Sequence, residues 1–334
     1  LSRAGYDALR QEQRAARAQG RLVGIGMASY VEICGFEEDE VSDLVVADDG
    51  RVTLLTGSAS HGQGHETAYA QIVADELQIP MEMVHVVQGD TALVRNGVGT
   101  FGSRSAARGG MHALGQAVKV KEKAQKIAAN LLEAAGPDIV HSEGRFSVRG
   151  VPDRAVTWQQ VAAAAKGGLS SQEDIKTGVG MLFPFGSHVA MVEVDRDTGR
   201  VTILRYLSVD DAGFLINPLL VQGQVHGGLA QGIGQALWEE ATFDDAGQLV
   251  SSTLMEYAIP KTDDLISFEN DHTRTHSPRT TLGVKGIGEA ATIGSTPAIA
   301  NAVMDALAPV GVTHVDLPLT PQKIWAAMRA ARTR

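Results

Sequence analysis

Hydrophobic and polar positions alternate along this chain with two different periods. Residues 1–19, rich in Ala, Arg and Gln, predict a charged helix. Residues 22–33 form an apolar, strand-like run. The runs 43–47 and 51–56 flank Asp48, Asp49 and Gly50, which have the chemistry of a hairpin turn. Tyr69, Ile72, Val73 and Leu77 then recur at three- and four-residue spacing and predict an amphipathic helix. A strand is expected at 83–87. The glycine-rich loop 97–105 leads into a long helical stretch ending near Gly136 and Pro137. Residues 137–180 predict a short strand at 145–148, a helix at 157–166 and polar connections.

The second half echoes the first. "DGRVTLL" is answered by "TGRVTIL", and Asp197, Thr198, Gly199 and Arg200 turn between strands expected at 190–194 and 201–206. A Gly/Gln-rich loop then enters a helix in both halves, at Gly62–His65 and at Gly223–His226. Gly102-Ser103 and Gly294-Ser295 each precede an Ala-rich helix, with Thr296 as the expected N-cap and Pro297 at the first helical position. Degenerate self-similarity of this kind predicts a duplication. The fold class is α+β: two repeated units of antiparallel hairpins with packed helices, divided into residues 1–180 and 181–334.

Composition narrows the chemistry. The 334 residues are 44% hydrophobic, enough for a substantial core. A net charge of −10 argues against nucleic acid as a partner. Lys119, Lys121, Lys123 and Lys126 share one expected helix and read as a solvated face. No run of eighteen apolar residues predicts a membrane span, and residues 1–6 predict no secretory leader. Cys34 is the only cysteine, so this chain alone holds no disulfide and no iron–sulfur cluster. A cytoplasmic location is expected.

The 37 glycines cluster, which suggests backbone drawn close to a ligand. Gly62, Gln63, Gly64 and His65 combine a flexible turn, an amide and a helix start, suited to an oxygen-rich ligand or to simple helix capping. His61 and His65 lack the spacing of a zinc-protease helix, so no protein-ligated metal is expected. Gly102, Ser103, Arg104 and Ser105 resemble a phosphate cradle, to which Arg104 and Arg108 could add charge. Gln222, Gln224 and Gln231 lie among glycines, fit for a polar heterocycle or for close helix packing. Glu289 ends the run Gly283–Gly288 in an apolar setting. Burial there would raise its pKa toward that of a general base, unless Lys285 points inward and counters it.

Taken in order, "GQGHET", "GSRS", "QGQVHGGLAQGIGQALWEE" and "GVKGIGEA" resemble the molybdopterin-binding subunit of the xanthine dehydrogenase and aldehyde oxidase family. The resemblance covers the C-terminal part of that subunit and runs nearly the whole length of this chain. One departure is Thr280-Thr281 where the family often carries Asn-Pro. The resemblance implies a molybdenum hydroxylase acting on an aldehyde or N-heterocycle with water-derived oxygen. A carbon monoxide dehydrogenase and a non-catalytic cofactor-binding or assembly fragment are its alternatives. It implies molybdopterin, in the cytosine dinucleotide form, held by Gly62, Gln63, Gly64, His65, Gly102, Ser103, Arg104, Ser105, Gln224, Gln231, Lys285, Gly286 and Gly288. Glu289 would be the base. The partners implied are the N-terminal half of the subunit, an iron–sulfur subunit, an FAD subunit and a small-molecule substrate.

Overall fold

A computed structural model describes residues 1–35 and 40–332. In chain order, α1 (Tyr6–Ala18) leads into β1 (Leu22–Val31). The first unit follows as β2 (Ser42–Val46), β3 (Val52–Thr56), α2 (His65–Leu77), β4 (Val84–Gln88) and α3 (Gly109–Leu131). A meander of β5 (Ile139–Ser142), β6 (Arg145–Val148) and β7 (Val151–Thr157) runs into α4 (Trp158–Ala164) and the short β8 (Ser170–Ser171). The second unit is β9 (Phe185–Val194), β10 (Val201–Asp211), α5 (Pro218–Leu237), β11 (Glu269–Thr273) and α6 (Ala290–Leu307), closed by α7 (Pro321–Arg332).

The two units share one element order, β-β-α-β-α, in keeping with the expected duplication. Their sheets match strand for strand: β4-β3-β2-β8 in one and β11-β10-β9-β1 in the other. In both, the hairpin is antiparallel and the strand after the helix joins in parallel. The outer strands are exchanged. β1, which precedes the first unit, pairs with β9 of the second over ten residues, from Leu22↔Val194 to Val31↔Phe185. β8, which precedes the second unit, pairs with β2 of the first. A boundary at 180 therefore divides a sheet. The local strand pattern does not reveal it, because the pairing partners lie some 160 residues apart on the scale of a whole domain.

Each unit has its own core. Leu44, Leu54, Tyr69, Val73, Val120 and Trp158 fill the first. Ala190, Val192, Tyr206, Leu229, Ile233, Ile299 and Ala302 fill the second. α1 covers the opposite face of the second sheet through Leu9 and Ala16 against Val23, Met191 and Leu207. Where α5 meets α6, a Cβ on Gly232 would stand 1.9 Å from Ser295 Oγ. These glycines serve close helix packing, the plainer of the two readings their spacing allowed.

Both hairpin turns form as expected, and Trp158 Nε1 donates to Gly50 O at 2.7 Å to pin the first. The lysine-bearing face of α3 is paired with carboxylates: Lys119 with Glu122, Lys121 with Glu76 and Lys123 with Glu173. One helix start differs from expectation. α6 begins at Ala290, so Pro297 lies inside it and Thr296 is no N-cap. Thr296 Oγ1 instead donates across to α5, 3.1 Å from Gly232 O and 2.9 Å from Gln235 Oε1. Packing against α5 outweighs the local capping signal.

Candidate active site

Four connections converge on one cleft of about 340 Å³: those following β3, β4, β10 and β11. They occupy equivalent places in the two units, so each repeat contributes two walls. The volume suits a small-molecule group.

From the first unit, Gly62 (φ 107°) and Gly64 (φ 76°) take left-handed backbone at the entry to α2. Gly64 is backed by Leu220, where a Cβ would come within 2.6 Å. Gln63 lines the cleft, its Oε1 accepting from the His61 amide and its Nε2 lying 3.1 Å from His61 Nδ1. His65, also in the wall, is buried and stacks on Tyr69 with ring centroids 5.3 Å apart. Burial lowers its imidazole pKa from the ordinary value.

The connection before α3 brings Gly102, Ser103 and Ser105 into the wall, with Ser105 Oγ donating to Thr100 Oγ1 at 3.2 Å. Arg104 turns the other way. It is 1% exposed, its Nη1 donating to Glu40 Oε2 at 3.0 Å and to Gly99 O at 3.4 Å. Glu40 also accepts from Ser58 Oγ at 3.1 Å and from the Val98 amide at 3.2 Å. The guanidinium expected on a cofactor phosphate is instead taken up beneath the loop, because a carboxylate buried as deeply as Glu40 requires a counterion. Arg108 likewise points inward, donating from Nε to Gly35 O at 2.9 Å.

From the second unit, Gln224 on α5 lines the cleft. Gln231, two turns along, stands apart from the lining and accepts from Thr292 Oγ1 at 3.2 Å. Lys285 N–H donates to Ala212 O at 2.8 Å, which ties the last connection to the end of β10. The Lys285 side chain is buried, and the residue lines the cleft with Glu289. Its Nζ lies 2.8 Å from Asp211 Oδ1 and 4.7 Å from the Phe185 ring centroid. Burial alone would raise the Asp211 pKa. Hydrogen bonds from Lys285, Thr273 and the Gly213 and Thr275 amides outweigh it and hold the carboxyl at about 2. Gly286 is in backbone contact with the other wall, since a Cβ there would sit 2.0 Å from Ser103 O. A Cβ on Gly288 would lie 3.6 Å from both Gln224 Oε1 and Ser103 Oγ, so these three positions meet at one point.

Glu289 stands at the head of α6 and faces the cleft. Ser103 Oγ donates to its Oε2 at 2.8 Å and accepts from its backbone N–H at 3.1 Å. Its neighbours do not bury it: the side chain is exposed at the cleft mouth. The desolvated carboxyl nearby is a different residue, Glu32, which does not line the cleft and which sequence reasoning missed. Glu32 is 5% exposed, and burial raises its pKa to about 7, with Ser103 lowering it and Glu289 adding to the rise. A signal was present in the chain. Along 30–34 the polar members Tyr30, Glu32 and Cys34 are buried, and the apolar Val31 and Ile33 are 68% and 48% exposed. A strand whose polar side faces inward marks a built polar interior.

The family model for a molybdopterin cofactor-binding domain matches residues 1–266. The chain belongs to that family. It is 36% identical to the carbon monoxide dehydrogenase large chain of Hydrogenophaga pseudoflava over 98% of its own length and 44% of that relative's. It is 32% identical to the xanthine dehydrogenase molybdenum-binding subunit of Escherichia coli, covering 94% of this chain and 44% of that one. Quinoline 2-oxidoreductase from Pseudomonas putida superposes with a TM-score of 0.89 at 35% identity, over 98% of this chain and 44% of that structure. The chain thus spans less than half the length of the relatives it matches.

The residues present fit a molybdopterin. Gln63 and Gln224 offer amides to a pterin's donor and acceptor edges, and Ser103 and Ser105 offer hydroxyls. The first turns of α2 and α6 bring positive dipole ends to the same space. His65 Nδ1 is buried in this wall with no partner among the described residues, the kind of atom that a bound ligand completes.

Proposed function

We propose that this chain forms one half of the active site of a molybdenum-dependent hydroxylase, with Glu289 as the general base. The observation that carries this reading is the convergence of Ser103, Gln224 and Glu289 on one cleft at the junction of the two units. When bound, molybdopterin supplies the two-electron oxidation of an aldehyde or N-heterocycle with water-derived oxygen. Glu289 holds a carboxylate at the cleft mouth. Ser103 fixes its Oε2 and its amide, which leaves Oε1 to take a proton from the reacting side. Gln63, Gln224 and Ser105 orient the cofactor. Carbon monoxide dehydrogenase is one type within the matched set, and the proposal covers the set.

The cytosine dinucleotide form of the cofactor, which the sequence resemblance implies, is part of the proposal. The remaining part of the subunit would cover the apolar strip Val31, Ile33, Met181, Phe183 and Phe185, all exposed beside the cleft. Iron–sulfur and FAD subunits would take the electrons onward. Among the described residues no helix is long and apolar enough to cross a membrane. A cytoplasmic complex is the location proposed.

The test is Glu289→Gln in the complete complex. Turnover should fall about 10²–10⁴-fold, with pterin and molybdenum content unchanged. Normal turnover in the variant would remove Glu289 from the mechanism.

A further inference from the structure

β1 and β9 run on beyond Val31 and Phe185 as a two-stranded ribbon. Glu32 N–H donates to Pro184 O at 2.9 Å, and Cys34 and Leu182 exchange two backbone bonds of 2.9 Å. These pairs continue the register of Tyr30↔Gly186. Even-numbered residues of this strand therefore bond inward to β9, and odd-numbered ones turn their N–H and C=O outward. The outer edge is guarded as far as residue 27. Val23 O accepts from Gln13 and Arg17, Ile25 N–H donates to Asp305 Oδ2 at 2.8 Å, and Met27 O accepts from Asn301 at 2.9 Å. At Ser29, Val31 and Ile33 the outward amides and carbonyls meet no hydrogen-bond partner among the described residues. One face of the same stretch is equally uncovered. Val31 stands opposite Phe185 and Ile33 opposite Phe183, and all four are exposed.

We propose that the edge at Ser29, Val31 and Ile33 receives an extended apolar strand from the part of the subunit that the relatives carry and this chain does not. The incoming backbone bonds these three residues, and its alternate side chains extend the apolar row of Val31 and Ile33. An open edge beside an apolar face invites pairing, and side chains of α1 and α6 blunt it elsewhere along β1. This chain spans 44% of its matched relatives, so more than half of such a subunit is available to supply the strand. The buried side of the ribbon reaches both walls of the cleft. Cys34 Sγ accepts from Gly286 N–H at 3.3 Å, and Gly35 N–H donates to Gly102 O at 3.3 Å. The added strand thus steadies the two connections that carry Ser103 and Glu289. The inference rests on the reading that the rest of the subunit completes this molecule, and it is independent of the role of Glu289.

Hydrogen–deuterium exchange of the complete subunit reads this edge directly. In wild type the amides of Ser29, Val31 and Ile33 should exchange on the order of a hundredfold more slowly than unpaired amides. Val31→Pro removes an N–H that the pairing with β9 does not use. It should return the Ser29 and Ile33 amides to rapid exchange while the inward-bonded amides of β1 stay protected. Val31→Lys keeps the N–H and sets a charge on the apolar face. It should speed the same amides, and it stands in for the proline variant if that one fails to fold. A photocrosslinker at Ser29 identifies the occupant, and should join to the N-terminal half of the same subunit. Rapid exchange in wild type overturns the proposal, as does a crosslink that is absent or goes to a second copy. A crosslink to the N-terminal half without amide protection would mean side-chain packing alone: the subunit reading would stand and the added strand would not.

Discussion

Ser103 and Glu289, 186 residues apart in sequence, close a two-point ring. The hydroxyl donates to the carboxylate at 2.8 Å and accepts from the amide of the same residue at 3.1 Å. One side chain from the first unit therefore fixes both the position and the orientation of the carboxylate carried by the second. Ser103 can do so because its own backbone is left-handed (φ 51°) and its carbonyl lies against Gly286.

Replacing that hydroxyl removes a bond to a charged group and orphans an amide. Ser103→Ala should reduce kcat about 10–100-fold, corresponding to roughly 1.5–3 kcal/mol, and leave KM within a few-fold of wild type. Steady-state kinetics on the assembled enzyme measure this. An unchanged kcat would mean that the ring has no bearing on turnover.

Arg104 and Glu40 form a buried pair beneath the same loop, 1% and 0% exposed at the side chain. Breaking it on one side strands a charge. Arg104→Met should lower unfolding stability by about 3–5 kcal/mol, and Arg104→Met with Glu40→Leu should recover much of the loss. Denaturant titration supplies the stabilities, and pterin analysis supplies a second readout. If the double variant regained stability yet failed to retain cofactor, Arg104 would be a cofactor ligand after all.

The Lys285–Asp211 pair predicts an acid dependence. Asp211 is held at about 2, below its unfolded value of roughly 3.9. Its contribution to stability is thus fully present above the unfolded value and disappears as pH falls through the folded one. Asp211→Asn should be markedly less stable than wild type at neutral pH, and the gap should close as pH drops toward 2. A gap constant from pH 7 to 2 would show that Asp211 contributes nothing through its charge.

Much of this molecule was legible in its sequence, for local reasons. Asp48-Asp49-Gly50 and Thr198-Gly199 announce their hairpins because turn chemistry is short-range. The glycine runs announce the connections of the cleft, and Glu289 stands out as a carboxylate among small residues. What stayed hidden is long-range. Arg104 looks like an anion ligand until Glu40, 64 positions upstream, is found beneath it. Thr296 and Pro297 satisfy the local rules for a helix start, yet the helix begins at Ala290 and Thr296 is turned toward α5. Glu32 reads as an ordinary acid at a strand end. Its burial, and the rise in pKa that follows, come from packing that no spacing reveals.

The crossed placement of β1 and β8 has a mechanical meaning. Cleavage between 172 and 184 would yield an N-terminal fragment that keeps its own sheet complete and also carries β1, and a C-terminal fragment whose sheet lacks that outer strand. The C-terminal fragment could not complete its sheet without its counterpart. β1 thus acts as the tongue of a buckle, and the candidate cleft lies where the two units it fastens meet.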